Sequence, residues 1–506
     1  MLKKTLYLLL IPIFAFVISC DKNKKDKSKQ YLTINIVSDP LSLNPMKIRD
    51  LNSVILSKLF FDGLMRVNED KQIKEAIAES YKISDDNKIF TFQINKNAFW
   101  SNGDKVTAYD FEYSWKKKLS KAFLSSTASS LFVIKNAKEA KKGKVSIDEI
   151  GITAIDENTL VIELEKPCPY FLRMLTTPAF FAVNKKVDIE NSNWAQDSKT
   201  FVSNGAFTLG EWKQHDFIVA KKNKFYWDAK RVKLEKISML MLTIETEHNM
   251  FDLNQLDIAG SPFSTLIVES LKKLKNEKTY NVSPYFGTSF LRINTQKIDD
   301  VNFRKDLMYA FDREKITEHI LQGGQIPTSK LVPIDKKIDT PIIKKDYAKR
   351  KIVLTYASSD RAHVIAQALQ RDLSTNLNLD VELKALEKQS FYEKLGSLDY
   401  EIALSSWIAD FEDKVDFLNV FKYKNSSTNN TGWENQKYIN LLQESETILD
   451  QNKRDETLSK AEDILLDEAA IIPIYHLTQN FLKKENLKDV FIYPNGFIDF
   501  KYAYFE

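Results

Sequence analysis

Residues 88–119 read KIFTFQINKNAFWSNGDKVTAYDFEYSWKKKL. From Lys88 to Ile94 apolar and polar residues alternate, the period that lets a strand turn one face to a core. Trp100-Ser101-Asn102-Gly103-Asp104 is a turn signal. Between Thr107 and Lys117 the period lengthens to that of a helix, with Phe111 and Trp115 four apart and Thr107 placed as a cap. A strand, a turn and an amphipathic helix in immediate succession predict helices layered on a sheet.

The same alternation of elements extends outward. Tyr31 to Ile36 has strand periodicity and is stopped by Asp39-Pro40, and Leu51 to Met65 has helical spacing. Strands are expected at Ile150–Ile155 and Thr159–Leu164. Helices are expected at Val301–Leu321, Ala362–Leu377, Gln436–Leu449 and Arg454–Ala469. The fold class is therefore α/β. With no internal repeat and no long linker, the lobes are expected to exchange chain several times.

Composition narrows the function. The chain has 506 residues, 43% hydrophobic and 28% charged, as in water-soluble globular proteins. Two cysteines exclude a disulfide scaffold and any four-cysteine metal site. The formal charge of +4 is concentrated at one end: two lysines lie in residues 1–20, and five lysines against two aspartates in 21–30. The remainder holds 66 basic and 67 acidic residues, so no net excess is left to build a nucleic-acid face.

Lys3-Lys4 and the apolar run Leu6–Ile18 read as a secretory signal, too short to span a bilayer comfortably. The run ends in Val17-Ile18-Ser19-Cys20, which resembles the bacterial lipobox. That resemblance implies cleavage before Cys20, lipidation of Cys20, and a location in the cell envelope facing the periplasm or exterior. Residues 21–30 then form a lysine-rich tether. Cys168 is left without a partner and is expected to be an inert thiol.

Ten segments in order resemble the extracytoplasmic solute-binding proteins of family 5, closest to the oligopeptide-binding branch. They include Ser42-Leu43-Asn44-Pro45, Phe60-Phe61-Asp62-Gly63-Leu64, the Phe99–Trp115 stretch, Pro169-Tyr170-Phe171, Ser203–Phe207, Phe303-Arg304, Asp312-Arg313, Trp407–Phe411 and Ile472–Tyr475. The chain is shorter than such relatives between about Leu331 and Arg350. The resemblance implies a bilobal periplasmic-binding-protein-like fold (type II, cluster C) with an extra α/β subdomain. Lobe I would comprise residues 31–60, 184–286 and 478–506, the subdomain 61–183, and the opposing lobe 287–477. It also implies an oligopeptide ligand, partner permease and ATPase subunits of an ABC importer, a monomer, and no cofactor.

The implied site follows residue by residue. Asp410 matches the aspartate that pairs with a peptide's α-ammonium, and its alternative is a turn residue. Trp407 would form an apolar wall or serve core packing. Asn204-Gly205 and Ser405-Ser406-Trp407 match segments that pair with peptide backbone, Gly205 by allowing close approach. Glu412, Asp413 and Asp416 read as a solvated acidic turn. Arg49 and Arg292 stand where such relatives carry glutamates, and His476 replaces an aromatic. If both arginines face the pocket, the ligand is an acidic or cell-wall-derived peptide; otherwise they point to solvent or pair with acids such as Asp50.

Other classes fit less well. The five histidines are scattered, against a metal carrier. No G-x-S-x-G, H-E-x-x-H or P-loop motif points to an enzyme. A surface adhesin remains compatible with a tethered lipoprotein.

Overall fold

The computed structural model describes residues 30–333 and 341–506. The stretch quoted above forms a strand, Ile89–Ile94, a turn in which Gly103 takes a φ of +92°, and a helix, Ala108–Leu119. Thr107 is the helix N-cap, and its N–H donates to the Asp110 carboxylate at 2.9 Å. Ala108, Phe111, Trp115 and Leu119 bury one helical stripe. That stripe covers a four-stranded antiparallel sheet ordered Ala78–Ile83, Ile89–Ile94, Thr159–Glu163 and Ile152–Ala154. Trp100 and Trp115 are buried, their indoles donating to the Asp110 carboxylate and the Phe180 carbonyl.

A second, larger sheet organises the rest. Its order is Asp380–Leu386, Lys351–Ala357, Ile402–Ile408, Tyr280–Ile293, Ile471–Lys483, Ile258–Gly260, Tyr31–Asn35, Lys236–Leu240, Phe217–Lys222 and Phe207–Lys213. Ile326–Pro327 pairs off this path with Ile471–Lys483. The two central strands, of 14 and 13 residues, run antiparallel through both halves.

Their ladder is not continuous. Tyr280–Pro284 pairs with Leu482–Thr478, and Thr288–Arg292 with His476–Ile471, with irregular register between Pro284 and Thr288. Such a bulge bends a strand and increases its twist, so the two halves of the sheet are turned relative to each other. At the break, a Cβ on Gly287 would meet Leu477 Cδ1 at 2.8 Å and the Trp407 carbonyl at 2.9 Å. Only glycine lets the crossing strands approach this closely.

Two expectations are corrected. The helix from Leu51 stops at Phe60 rather than Met65, because Gly205 N–H donates to the Phe60 carbonyl at 2.8 Å and Asn204 clamps Asp62 in extended chain. The Val301–Leu321 span is broken into a helix, Val301–Met308, and a wider π-type turn, Lys315–Leu321. Between them the buried Arg313 guanidinium donates to the carbonyls of Met308, Thr328 and Pro473, which draws the chain off the helix axis.

Distant segments meet at Asp62. Its carboxylate accepts from Lys501 Nζ at 3.0 Å, the Tyr226 hydroxyl at 2.7 Å and the Trp227 indole at 3.2 Å. Burial works against its charge, but Lys501, Arg66 and the Tyr226 hydrogen bond outweigh it and hold the carboxyl below its ordinary pKa. Both partners of the ion pair are buried, so removing one strands the other. Lys501→Met is therefore expected to cost about 3–5 kcal/mol in urea unfolding, and the double variant with Asp62→Leu less than the sum of the single losses.

Candidate ligand-binding site

Five separated stretches, two of them supplying only Thr127 with Ser130 and Phe497, wall a cavity of about 470 Å³, open solvent included. Of the other three, Ile48 and Val54 come from the first, Met174 and Thr177–Phe180 from the second, and Asp410 and Phe411 from the third. An adjoining shallow hollow of about 280 Å³, most of it open solvent, shares Phe411 and Phe497 with it. The walls are in contact at one side: Tyr170 stacks on Phe411 at 5.6 Å and 14°, and the Arg454 guanidinium lies 5.1 Å from the Tyr170 ring.

Asp410 follows directly on the strand Ile402–Ile408. Its N–H donates to Asp416 Oδ2 at 3.0 Å, and the Trp407 indole donates to the same oxygen at 3.4 Å. Asn495 Nδ2 donates to the Asp410 carbonyl at 3.3 Å. The Asp410 side chain keeps access to the solvent of the cavity, yet enough protein surrounds it that burial raises its pKa. Asp416 is pushed up to about 8, by burial and then by the Asp410 carboxylate. No described cation forms an ion pair with either carboxylate. The nearby Arg454 is taken by Asp413 in a bidentate pair of 2.8 Å bonds, a geometry that fixes both groups. Asp413 also caps the helix Lys414–Leu418, so this acidic stretch is built into the fold and is not the solvated turn expected.

The backbone beside Asp410 is also available. Residues 402–408 pair along their whole length with 287–293, but on the other side only Ile402 and Ala403 meet the Lys351–Ala357 strand. The outer edge of Leu404–Ile408 therefore has no strand partner among the described residues. Ser406 lies on this edge with its side chain exposed, and Trp407 is half-buried against the core with its indole on Asp416. Trp407 thus serves packing and orients the carboxylate pair.

Other expected positions are placed elsewhere. Asn204 is buried, with both ends of its amide on the backbone of Asp62. A Cβ on Gly205 would meet the Phe60 carbonyl carbon at 2.6 Å, so close approach is indeed required there, but to protein backbone. Arg292 is buried, donating to Ser405 Oγ at 3.1 Å and to the carbonyls of Thr428 and Asn429. Burial pulls its pKa down to about 10. It is a strut between the sheet and the 428–429 loop, which removes its support for an acidic ligand. Arg49 is exposed and makes no ion pair among the described residues; Asp50 instead caps the following helix. His476 is buried and off the cavity. Thr288 Oγ1 donates to the Leu331 carbonyl at 2.7 Å and lies 2.8 Å from His476 Nδ1, so Nδ1 carries the proton. Desolvation lowers the His476 pKa to about 4. Cys168 is buried, its thiol pushed up to about 12 by burial, as befits an unreactive group. Cys20 lies outside the described residues. Among the described residues no helix is long and apolar enough to cross a membrane, and no three His, Cys, Asp or Glu are grouped to hold a metal.

Residues of the candidate site that sequence reasoning missed are Asp416, Phe411 and Tyr170. Tyr170 and Phe411 stood within quoted segments, but nothing in the sequence said that they would face each other.

Comparison with known proteins follows from this geometry. Residues 72–429 match the family model described as bacterial extracellular solute-binding proteins, family 5 middle. The oligopeptide-binding protein OppA of Bacillus subtilis is 37% identical over 96% of this chain and 94% of its own length. The solved murein tripeptide binding protein MppA of Escherichia coli superposes with a TM-score of 0.79 at 28% identity, covering 94% of this chain and 98% of that one. Haemophilus influenzae OppA in complex with the peptide RPPGFSPFR gives a TM-score of 0.79 at 26% identity, covering 94% and 99%. The fold is thus the bilobal α/β fold of periplasmic peptide-binding proteins.

The carboxylate pair predicts a pH dependence. A carboxyl whose folded-state pKa is raised contributes stability below its unfolded value, and loses it as pH rises through the folded value. Asn at 416 keeps the acceptor for both hydrogen bonds and removes the charge. Asp416→Asn is expected to raise the Tm by about 2–4 °C at pH 8.5 and to bring little gain at pH 4.5, as read by thermal melts.

Proposed function

We propose that this chain, which belongs to the bacterial extracellular solute-binding proteins of family 5, is the lipid-anchored peptide-capturing subunit of an ABC importer. The family is one of binding proteins, so the chain is not an enzyme. Its ligand is an oligopeptide with a free amino terminus, held as a clamp closes and delivered to permease and ATPase partners. Cys20 carries the anchor, and the protein acts as a monomer.

The observation that carries this reading is the Asp410 carboxylate, which lines a cavity, adjoins Asp416 through its own N–H, and like Asp416 has no ion pair to a described cation. An α-ammonium leaving water needs a fixed opposite charge, and such charge-assisted bonds contribute about 1.5–3 kcal/mol. The open edge at 404–408 supports the same conclusion, because an extended peptide can add to it as a strand. Main-chain pairing gives affinity without reading side chains, which suits a carrier of varied peptides. With its amino end at Asp410, the peptide would run antiparallel to residues 402–408.

The lobes proposed are residues 31–60 with 184–286 and 478–506, the subdomain 61–183, and 287–477 opposite them. The bulge at 284–288 and Leu477 is the natural hinge, since irregular pairing bends at the least cost in hydrogen bonds. Tyr170 on Phe411 would then act as the latch of the closed form. Binding and closure become one linked equilibrium.

Calorimetry with tripeptides tests the central assignment. Asp410→Ala should weaken free-amino tripeptides about 10- to 100-fold and their N-acetylated forms only slightly. Equal losses for both would remove the ammonium role.

A further inference from the structure

The cavity adjoining Asp410 has a different chemistry. It is lined by Lys58, Arg173, Thr176, Phe411, Glu412 and Phe497, so two cations face one carboxylate. Lys58 projects from the last turn of the helix Leu51–Phe60, its Nζ 4.4 Å from the centre of the Phe497 ring and 5.7 Å from that of Tyr493. It makes no hydrogen bond or ion pair among the described residues. The acids nearest to it are engaged elsewhere: Asp62 by Lys501, Tyr226 and Trp227, and Asp499 by the Lys501 N–H at 2.7 Å. Burial lowers the Lys58 pKa to about 8, the sign of an ammonium held at a cost.

Arg173 stands on the opposite wall, half-buried, and its guanidinium is likewise without a hydrogen bond or ion pair among the described residues. Its field acts on Glu412, whose carboxyl is nevertheless raised by burial. Lys58 has in its field only Asp499 and Asp62, both already bonded to Lys501, and Arg173 has only Glu412, so a further anion would be bound by charge-assisted hydrogen bonds. A planar guanidinium beside a mobile ammonium suits a carboxylate. Both cavities share Phe411 and Phe497, so neighbouring groups of one guest can reach both.

We infer that Lys58 and Arg173 form a subsite for the side-chain carboxylate of the ligand's amino-terminal residue, so that peptides beginning with an acidic residue are preferred. This rests on the peptide-binding reading above. It also moves the anion preference from Arg49 and Arg292, where sequence matching had put it, to two cations that face a cavity.

The test is calorimetry on the full chain at about pH 7 with Glu-Ala-Ala, Gln-Ala-Ala, Ala-Glu-Ala and Ala-Ala-Glu. Glu-Ala-Ala should bind about tenfold more tightly than Gln-Ala-Ala, with no such gain for glutamate at the second or third position. Lys58→Met and Arg173→Gln, tested separately, should each shrink that preference while leaving Gln-Ala-Ala within about twofold, and Lys58→Arg should keep it. Equal affinities for Glu-Ala-Ala and Gln-Ala-Ala would overturn the subsite and leave the peptide reading standing. So would variants that weaken both peptides alike, which is the mark of a structural role. Absence of binding by all four peptides would overturn both.

Discussion

Two antiparallel strands, Tyr280–Ile293 and Ile471–Lys483, belong to both halves of the large sheet, and every other arrangement in the molecule answers to them. Separate clusters pack on the two ends of the pair, one including Leu291, Ile293, Ile472 and Ile474, the other Ala259, Leu271 and Leu482, while the largest cluster joins Ile34 and Phe60 to Phe290, Phe417 and Ile471. The only irregular stretch of their ladder falls between Pro284 and Phe290, beside Gly287 and Leu477. A break in hydrogen bonding flanked by regular pairing concentrates bending there and spares the cores, which are close-packed and tolerate little strain. The Asp410 loop is attached one strand away, so its distance from the Ile48 and Lys58 wall is set by that bend.

Charge in the cleft is distributed by the same logic. The buried cations Arg292, Arg313 and Arg454 are held by the protein itself, the first two by carbonyls and the third by Asp413. What remains is the Asp410 carboxylate in one cavity, with Asp416 behind it, and an ammonium with a guanidinium in the next. Leaving such groups uncompensated destabilises the empty protein, and that cost is recovered only by a guest of complementary charges. On the proposed reading, selectivity and closure would have a common origin, because the groups choosing the guest would be those that desolvation penalises as the lobes meet.

Much of the fold could be read from the sequence where one face of an element is wet. The Ala108–Leu119 helix and the Ile89–Ile94 strand alternate between core and solvent, so their period shows. The two long strands were missed because residues 287–293 and 471–476 are buried on both faces and show no alternation. The site was legible in part. Asp410 could be found from its motif, while Asp416 looked like surface. Arg292 illustrates the limit: a position in an alignment gives a residue's place on a strand but not its partner, and here the partners are carbonyls more than a hundred residues away. Lys58 failed for the opposite reason, since one lysine on a helix carries no local signal of being desolvated.

The stretch Phe491–Lys501 supplies Asn495 to the Asp410 loop, Phe497 to both cavities and Lys501 to the Asp62 hub. A polypeptide emerging from its amino end can fold the small subdomain early, since those strands and their helix lie close together in the chain. The receptacle itself is finished only when this late stretch threads back between the lobes. A polypeptide cut short before Phe491 would therefore carry an unfinished receptacle, however well its earlier strands and helices had set.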